Sequence, residues 1–346
     1  MQNAPPPDRA GLSRIFLVLP PRVHILDLAG PLQVFGTLPE LGIAPVEVRC
    51  VGPQSELKSY QGLALAAVQQ LPARLRRGDL IVVIGAKLAF DAPPTPAQRQ
   101  IASWLRGEVQ PRLGDVALAS VCTGAFLLGA AGLLDHRPCT THHHHLERLQ
   151  QRHPLARVLP NRMLVDAGNV CTSAGVSAGI DLALHLIARH FGAAAAVRVA
   201  RENVVPFRRM SRDPELDPPL RHRDHGNALV HAVQDFLSDH PDSTLPYDAL
   251  AARFAVSYRH LARVFLQECG LTLKQYQQQL RIALARSLLK RGDAPIERIA
   301  EQCGFGTVQA FRSAWRQEEA LPPSQWRAGA APASNAAADA DAPPMQ

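Results

Sequence analysis

The chain has 346 residues, enough for two domains that each bury a hydrophobic core without disulfide or metal cross-links. Its 37 Lys and Arg against 30 Asp and Glu give a net charge of +7, but the excess is spread along the chain, so bulk charge does not decide whether it binds nucleic acid. The six cysteines are scattered without a CxxC pair, which excludes a disulfide-rich secreted protein and predicts reduced thiols and a cytoplasmic location.

Residues 1–11 lack the basic start and apolar core of a signal peptide, and we predict a disordered leader there. Over residues 12–205, the apolar runs IFLVL, VEVRCV, DLIVVIGA, VALASV and NVCTSAG alternate with helical patterns. This alternation predicts an α/β domain of the flavodoxin-like kind, with a mostly parallel sheet and helices on both faces.

The stretch 116–134 carries no charge over 19 residues, which is long enough to consider a membrane span. It contains Ser120, Thr123 and several glycines, and it divides better into a buried strand, a tight turn and a short helix. We therefore predict no contact with a membrane.

The pattern changes after residue 205. Residues 206–225 are charged and proline-rich without an apolar period, which predicts a linker. Residues 226–328 have an apolar period near 3.6 throughout and predict an all-α domain, and the Ala/Pro/Asp-rich end, 329–346, predicts a disordered tail.

The helical domain contains an internal repeat. LAARFAVS (250–257) recurs as IAEQCGFGT (299–307), and from Ser257 and Thr307 onward the two copies stay 50 residues apart. Each copy predicts a helix-turn-helix unit, in which Ser257 or Thr307 caps the second helix. The apolar positions that follow also match, and they are Leu261, Val264 and Phe265 in one copy and Phe311, Ala314 and Trp315 in the other.

Polar side chains of the two second helices face away from this predicted core. At 100° per residue, Arg259 and Arg263 point outward together in the first copy, as do Gln309, Arg312 and Arg316 in the second. Arg and Gln match guanine and adenine edges, and a recognition helix presents them to the major groove from its first turns. In a single copy, such polar residues could equally be a helix face that only contacts solvent. Because the same pattern occurs in both copies, we favour the interpretation that these faces contact DNA bases.

The predicted DNA-binding set also includes Ser257, Tyr258, Lys274 and Thr307. The side chains of Tyr258, Lys274 and Arg316 are of types that suit phosphate contacts.

A continuous amphipathic helix is predicted between the copies, over 273–290. At ~1.5 Å per residue it spans ~27 Å, close to one turn of the duplex (~34 Å). One chain could then contact two adjacent segments of the major groove.

These stretches resemble the DNA-binding domain of the AraC/XylS family over residues 226–327. The resemblance implies base contacts from Arg259, Arg263 and Gln309, with Arg312 beside them. The chain departs from the family at Glu319 and Ala320, where the family has an aromatic or aliphatic residue followed by Gly, and at Ser313, where many members have Arg.

In the N-terminal domain, VALASV runs directly into Cys122-Thr123-Gly124. A strand that turns sharply into a helix lifts the intervening side chain above the sheet edge, near the positive end of the helix dipole. Cys122 is therefore a candidate nucleophile or ligand contact. The alternative is that Cys122 serves only as a small apolar residue of the core.

With ILDLAGPLQVF, SVCTGAFLLGAAGLL, TTH and TSAGVSAGIDLAL, residues 12–205 resemble the PfpI-like branch of the class I glutamine amidotransferase-like superfamily. Many of its enzymes have His after the cysteine and Glu where this chain has Thr123 and Gln33, so the resemblance implies a sensor domain without catalysis. Isonitrile hydratases of the superfamily pair a DLAGP-like stretch with Cys-Thr-Gly, so an enzyme using Cys122, Asp27 and Thr123 stays open. The predicted ligand pocket comprises Asp27, Gly30, Pro31, Gln33, Cys122, Thr123, His142 and Ser173.

The run His142–His145 raises the question of a metal site. Four consecutive imidazoles cannot all point one way in a regular helix or strand, and no cysteine or carboxylate lies at ligand spacing. We therefore predict no metal and no cofactor, with His142 alone beside Cys122.

Together the two resemblances predict a DNA-binding transcription regulator whose N-terminal domain senses a small metabolite, derived from an amine or an amino acid. They imply double-stranded DNA and RNA polymerase as partners and a homodimer formed through the N-terminal domain. A Cys-dependent hydratase or hydrolase with a DNA-binding appendage, and a general nucleoid-binding protein, are the alternatives.

Overall fold

The computed structural model describes residues 12–205, 218–292 and 294–328. The predicted leader, the predicted tail and most of the predicted linker lie outside these residues. The chain divides into two compact units, residues 1–215 and 216–346.

The first unit alternates strands and helices, as predicted. Its strands are β1 (Arg14–Val18), β2 (Glu47–Gly52), β3 (Leu57–Lys58), β4 (Ala64–Leu65), β5 (Gln69–Gln70), β6 (Asp79–Val83), β7 (Ala117–Val121), β8 (Pro138–Cys139), β9 (Arg157–Val158), β10 (Leu164–Asp166) and β11 (Val170–Ser173). Its helices are α1 (Ile25–Glu40), α2 (Pro96–Trp104), α3 (Gly124–Ala130), α4 (Leu146–Arg152), α5 (Ala178–Phe191) and α6 (Ala193–Glu202), with a π-helical turn at Leu105–Val109 and 3₁₀ turns at Gln110–Arg112 and His143–His145.

Seven strands form one sheet in the order β10-β11-β7-β6-β1-β2-β5, parallel except where β10 pairs with β11. One core cluster packs α1, α5 and α6 on one face, and a second packs α2, α3 and α4 on the other. This confirms the predicted mostly parallel sheet covered on both faces. The chain leaves β1 toward β2 on one side and later toward β6 on the other, and such a switch point opens a crevice at the carboxyl ends of the strands.

The uncharged stretch 116–134 contains β7 and α3, as predicted. Within the described residues, no helix is both long and apolar enough to cross a bilayer.

The described part of the second unit is helical. Its helices are α7 (Pro218–Arg221), α8 (Ala228–Asp239), α9 (Tyr247–Arg253), α10 (Tyr258–Cys269), α11 (Leu273–Arg291), α12 (Ile296–Gln302), α13 (Val308–Glu318) and α14 (Pro323–Ala328).

Helix α11 is shared by two hydrophobic cores. Its first half contributes Leu273, Tyr276 and Leu280 to a core with α8, α9 and α10. Its second half contributes Ile282 and Leu289 to a core with α12, α13 and α14. The predicted continuous helix is thus the element that joins the two helix-turn-helix units.

The boundary of the helical unit lies earlier than the sequence predicted. Residues 218–225 were assigned to the linker, but α7 lies within them, and the backbone carbonyl of His222 accepts a hydrogen bond from Gln234 Nε2 at 2.7 Å. His222 Nε2 also lies 3.1 Å from Gln279 Oε1. The prolines concealed the helix because proline is tolerated in the first turn, where its missing N–H has no partner in any case.

Candidate functional site

Cys122 lies on the sharp turn between β7 and α3, at the carboxyl edge of the sheet. Its φ is +55°, an uncommon conformation for a residue with a side chain, and it is 4 % exposed. Three glycines allow this turn to pack closely. A Cβ on Gly175 or Gly85 would lie 2.2 or 2.7 Å from Cys122 Cβ, and one on Gly124 would lie 2.3 Å from the carbonyl oxygen of Val83.

Asp27, in the first turn of α1, points toward the same turn. It is 1 % exposed, and its Oδ1 accepts a hydrogen bond of 2.6 Å from the backbone N–H of Val176. Burial raises the pKa of Asp27, while hydrogen bonds from Val176 and the Cys122 thiol act in the opposite direction. Among the described residues, Oδ2 has no hydrogen-bond partner. A buried carboxylate oxygen without a hydrogen bond is uncommon, because its burial costs free energy that no partner offsets.

Thr123, the residue directly after Cys122, is hydrogen-bonded to the backbone of a neighbouring segment. Its hydroxyl accepts a hydrogen bond from the backbone N–H of Ala86 at 2.9 Å and donates one to the carbonyl of Ala86 at 2.7 Å. Thr141 donates in turn to the carbonyl oxygen of Cys122 at 2.8 Å. These hydroxyls hold the turn in place, and Thr123 is not a substitute for a catalytic base.

A cavity of about 590 Å³ opens beside Cys122, with Asp27, Thr123 and His142 among its lining residues. Four other predicted pocket residues do not line it. Gly30 and Pro31 face α5, Gln33 is exposed, and Ser173 accepts a hydrogen bond from the Cys122 backbone through its carbonyl oxygen. The lining that the sequence did not predict is His24, Leu26, Gln61, Ala86, Lys87, Leu88, Phe90, His144, His145, Arg148 and Val176.

Two of these unpredicted residues carry positive charge. The guanidinium of Arg148, on α4, lies 4.7 Å from the centroid of the Phe90 ring, and Lys87 Nζ lies 5.4 Å from that of Tyr60. Lys87 lies in the loop that follows β6, so the rule that ligand groups follow the carboxyl ends of parallel strands points to this loop. No sequence signal pointed to Arg148, because it lies on α4 and that helix was not predicted.

The histidine run does not behave as the sequence predicted. His143–His145 form a 3₁₀ turn and His142 is its extended N-terminal cap, so neither regular element governs the directions of the rings. Ring nitrogens of His142, His143 and His144 all lie within 4.8 Å of one another. The sequence argument assumed a regular helix or strand, which this segment does not form, and three of the four imidazoles converge. Burial and the neighbouring histidines lower the pKa of His142 to about 4, so its ring is neutral at pH 7.

In the second unit, the two predicted reading helices begin as expected. The side chain of Ser257 accepts a hydrogen bond from the backbone N–H of His260 at 3.3 Å, and Thr307 accepts one from Ala310 at 3.1 Å. In the turns before them, Ala255 and Gly304 both adopt positive φ, at +56° and +74°.

The outward face of each reading helix is polar and exposed. Arg259 and Arg263 on α10, and Gln309, Arg312 and Arg316 on α13, are all exposed. Within the described residues, none of the four arginines forms an ion pair, so their charges are available to an anionic partner. The opposite faces are the buried ones, with Leu261, Phe265, Phe311, Ala314 and Trp315.

Tyr258 and Lys274 lie beside these helices. The Tyr258 ring stacks on Tyr247 at 6.0 Å between centroids. Lys274 is exposed at the start of α11, in a groove of about 510 Å³ that Ser313 and Gln317 of α13 also line.

Comparison with known proteins matches both units. The DJ-1/PfpI family matches residues 13–189, and a helix-turn-helix domain matches residues 250–329. The chain is similar to the HTH-type transcriptional regulator CdhR of Pseudomonas aeruginosa, with 32% identity over 255 residues that cover 73% of each chain. It is similar to GbdR of P. aeruginosa, with 30% identity over 213 residues (61% of this chain, 58% of GbdR), and to GlxA of Rhizobium meliloti, with 28% identity over 216 residues (62% of this chain, 66% of GlxA).

Proposed function

Because the chain belongs to the AraC-type helix-turn-helix transcriptional regulators with an N-terminal DJ-1/PfpI domain, we propose that it binds specific DNA sequences and that its N-terminal unit senses a small metabolite. The observation that carries the first half is the duplicated reading helix. Two capped helices joined through α11 each bury an apolar face and expose arginine or glutamine. That arrangement suits base reading in two segments of the major groove.

The chemistry of the cavity supports a zwitterionic effector, such as an amino-acid-derived amine that retains a carboxylate. Asp27 lines the cavity and offers its carboxylate to a cationic or N–H group. Arg148 and Lys87 offer positive charge for an anionic group in the same cavity. A cavity of about 590 Å³ is within the size range of small-molecule sites.

A Cys122-dependent hydratase or hydrolase is the second candidate, and the strained turn at Cys122 is the observation that favours it. Against it, Thr123 is used by the backbone of Ala86, and the chain is similar to proteins named as regulators. Sensing without catalysis therefore accounts for more of the site.

We expect Asp27→Asn and Cys122→Ala to separate these two functions. A thermal-shift screen of the full chain against amine and amino-acid metabolites would first identify an effector. Asp27→Asn should then weaken effector binding about 10- to 100-fold, because a hydrogen bond to a charged group is worth about 1.5–3 kcal/mol. Cys122→Ala should preserve the effector's influence on DNA binding. If Cys122→Ala abolished that influence while wild type consumed the effector, the enzyme would be the better account.

The unliganded stability of the Asp27→Asn variant serves as its control. The pKa of Asp27 is raised in the folded state, so its ionised form opposes folding as pH rises above the unfolded value of 3.8. Asp27→Asn should accordingly raise the melting temperature at pH 7 and change it little at pH 3. A lower melting temperature at pH 7 would mean that the ionised carboxylate stabilises the fold.

For DNA, Arg263→Ala and Lys274→Ala should give different signatures. Loss of a base contact from Arg263 should cost about 1–3 kcal/mol at the specific site and relax preference at one base pair. Loss of a phosphate contact from Lys274 should weaken binding to specific and to random DNA alike. It should also reduce the salt dependence of the binding constant by about one released ion. Binding titrations at several salt concentrations distinguish the two. Equal loss on both DNAs for Arg263→Ala would exclude a base-reading role.

We also propose that the protein forms a homodimer through its N-terminal unit and contacts RNA polymerase.

The remaining alternative is a general nucleoid-binding protein, which would lack sequence preference. A footprint confined to one short asymmetric site would exclude that alternative.

A further inference from the structure

Three histidines converge beside the cavity that holds Cys122 and Asp27. The His142 and His143 rings stack at 4.2 Å between centroids, and those of His143 and His144 also lie 4.2 Å apart. One ring nitrogen from each of the three lies within 4.8 Å of the other two. His142 and His144 also line the cavity. We propose that these three histidines bind one divalent transition-metal ion at the edge of the cavity.

The local backbone explains why these neighbours converge. His142 is extended, with φ −54° and ψ 135°, whereas the next residues enter a 3₁₀ turn. Its Nδ1 accepts a weak hydrogen bond from the backbone N–H of His144 at 3.4 Å, which orients the ring. A metal would replace this hydrogen bond, because a neutral imidazole has one lone-pair nitrogen to offer. Around a zinc ion with Zn–N bonds of about 2.0–2.1 Å, tetrahedral ligand nitrogens lie about 3.3 Å apart. The exposed His144 can close the remaining distance by rotating its ring.

The donor set selects the class of ion. Three imidazoles and no carboxylate suit zinc, nickel or copper and do not suit magnesium or calcium, which prefer oxygen ligands. Three protein ligands leave one position of a tetrahedral site open, as in zinc sites that bind a water or a substrate. Since the cavity adjoins the cluster, that open position is accessible to a carboxylate of the effector, and to this extent the inference rests on the proposed sensing function.

A second group with similar ligands provides the contrast. Asp166, Cys171 and His185 also lie close enough to hold a metal. There, however, His185 and Arg189 already pair with Asp166, at 2.8 and 3.3 Å, and Cys171 is 1 % exposed with a pKa raised strongly by burial. A metal would have to displace an arginine and deprotonate a buried thiol. We therefore assign the metal to the histidine cluster, and His185→Gln is its matched control.

The test is zinc binding by the full chain, measured by competition with a chromophoric chelator after removal of metals. Wild type and His185→Gln should each bind one Zn²⁺ per chain at the same affinity. The double variant His143→Ala/His144→Ala should bind more than about 100-fold more weakly, since losing a residue that only orients a ligand already costs about 10- to 100-fold. Should the double variant not fold, His144→Ala alone, at an exposed position, should still weaken binding at least about tenfold.

Cobalt provides an independent readout. Co²⁺ bound by imidazoles should give visible bands without the charge-transfer absorption that a cysteine thiolate produces, and these bands should disappear in the double variant. No zinc bound by wild type, unchanged affinity in the double variant, or a thiolate signature in the cobalt spectrum would each overturn the proposal. Because no effector enters these measurements, their failure leaves the sensing proposal intact, and an effector that does not bind leaves the metal result intact.

Discussion

Replacing Gly304 by alanine is expected to destabilise the second unit by about 2–5 kcal/mol. Gly304 lies in the turn of the second helix-turn-helix unit with φ +74°, where an alanine costs about 1–2 kcal/mol. Its Cβ would also lie 2.2 Å from the backbone oxygen of Asp242, and such overpacking costs about 1–3 kcal/mol more. Because the clash is with backbone, a change of side-chain rotamer cannot relieve it.

Asp242 belongs to the loop between α8 and α9, so this close approach joins the two helix-turn-helix units. The same loop is held by Arg281 of α11, which donates hydrogen bonds to the carbonyls of Pro241 and Ser243 at 3.1 and 2.7 Å. Arg281 also lies 5.6 Å from the centroid of the Phe305 ring, next to Gly304. Gly304→Ala should therefore also disturb the spacing of the reading helices, and it should weaken binding to a complete site more than to a half-site.

The first helix-turn-helix of the same unit provides a matched control for this variant. Ala255 occupies the equivalent turn at φ +56° and is exposed, so Ala255→Gly should change stability by no more than about 1 kcal/mol. Urea unfolding in a Trp104→Phe background would report the second unit, because Trp315 and Trp326 are both in its core. If Ala255→Gly raised the stability by as much as Gly304→Ala lowered it, positive φ and not the contact with Asp242 would govern the turn.

The sequence predicted β1, β6, β7 and β11 because they are apolar runs that a parallel sheet buries on both faces, whereas β2 is fully buried only at Val51 and Gly52. Two-residue strands such as β3 and β8 are too short to show any period. The two helix-turn-helix units were predictable because their pattern occurs twice, and the second copy distinguishes a reading face from a solvated one.

The ligand site was predictable only in part. Asp27 and Cys122 stand in recognisable motifs beside the sheet edge, and both line the cavity. Arg148 comes from α4, which directly follows the histidine run and was not predicted. The convergence of His142, His143 and His144 depends on a change from extended backbone to a 3₁₀ turn within one residue, and residue order alone does not specify such a change.

The second large loss of stability is expected when Glu319 is replaced. Glu319 directly follows α13, and its carboxylate accepts a hydrogen bond of 2.8 Å from Nε of Arg286 on α11. The two side chains are only 7% and 11% exposed. Glu319 thus forms half of a buried ion pair with Arg286.

Removing one partner should cost about 3–5 kcal/mol, because the remaining charge stays buried without a counter-charge. Glu319→Ala should show this loss in urea unfolding. The double variant Arg286→Met/Glu319→Leu should recover most of it, since well-packed apolar side chains often replace a buried pair at little cost. The two single variants and the double variant form a thermodynamic cycle that isolates the pair, and additive losses would mean that the residues act independently.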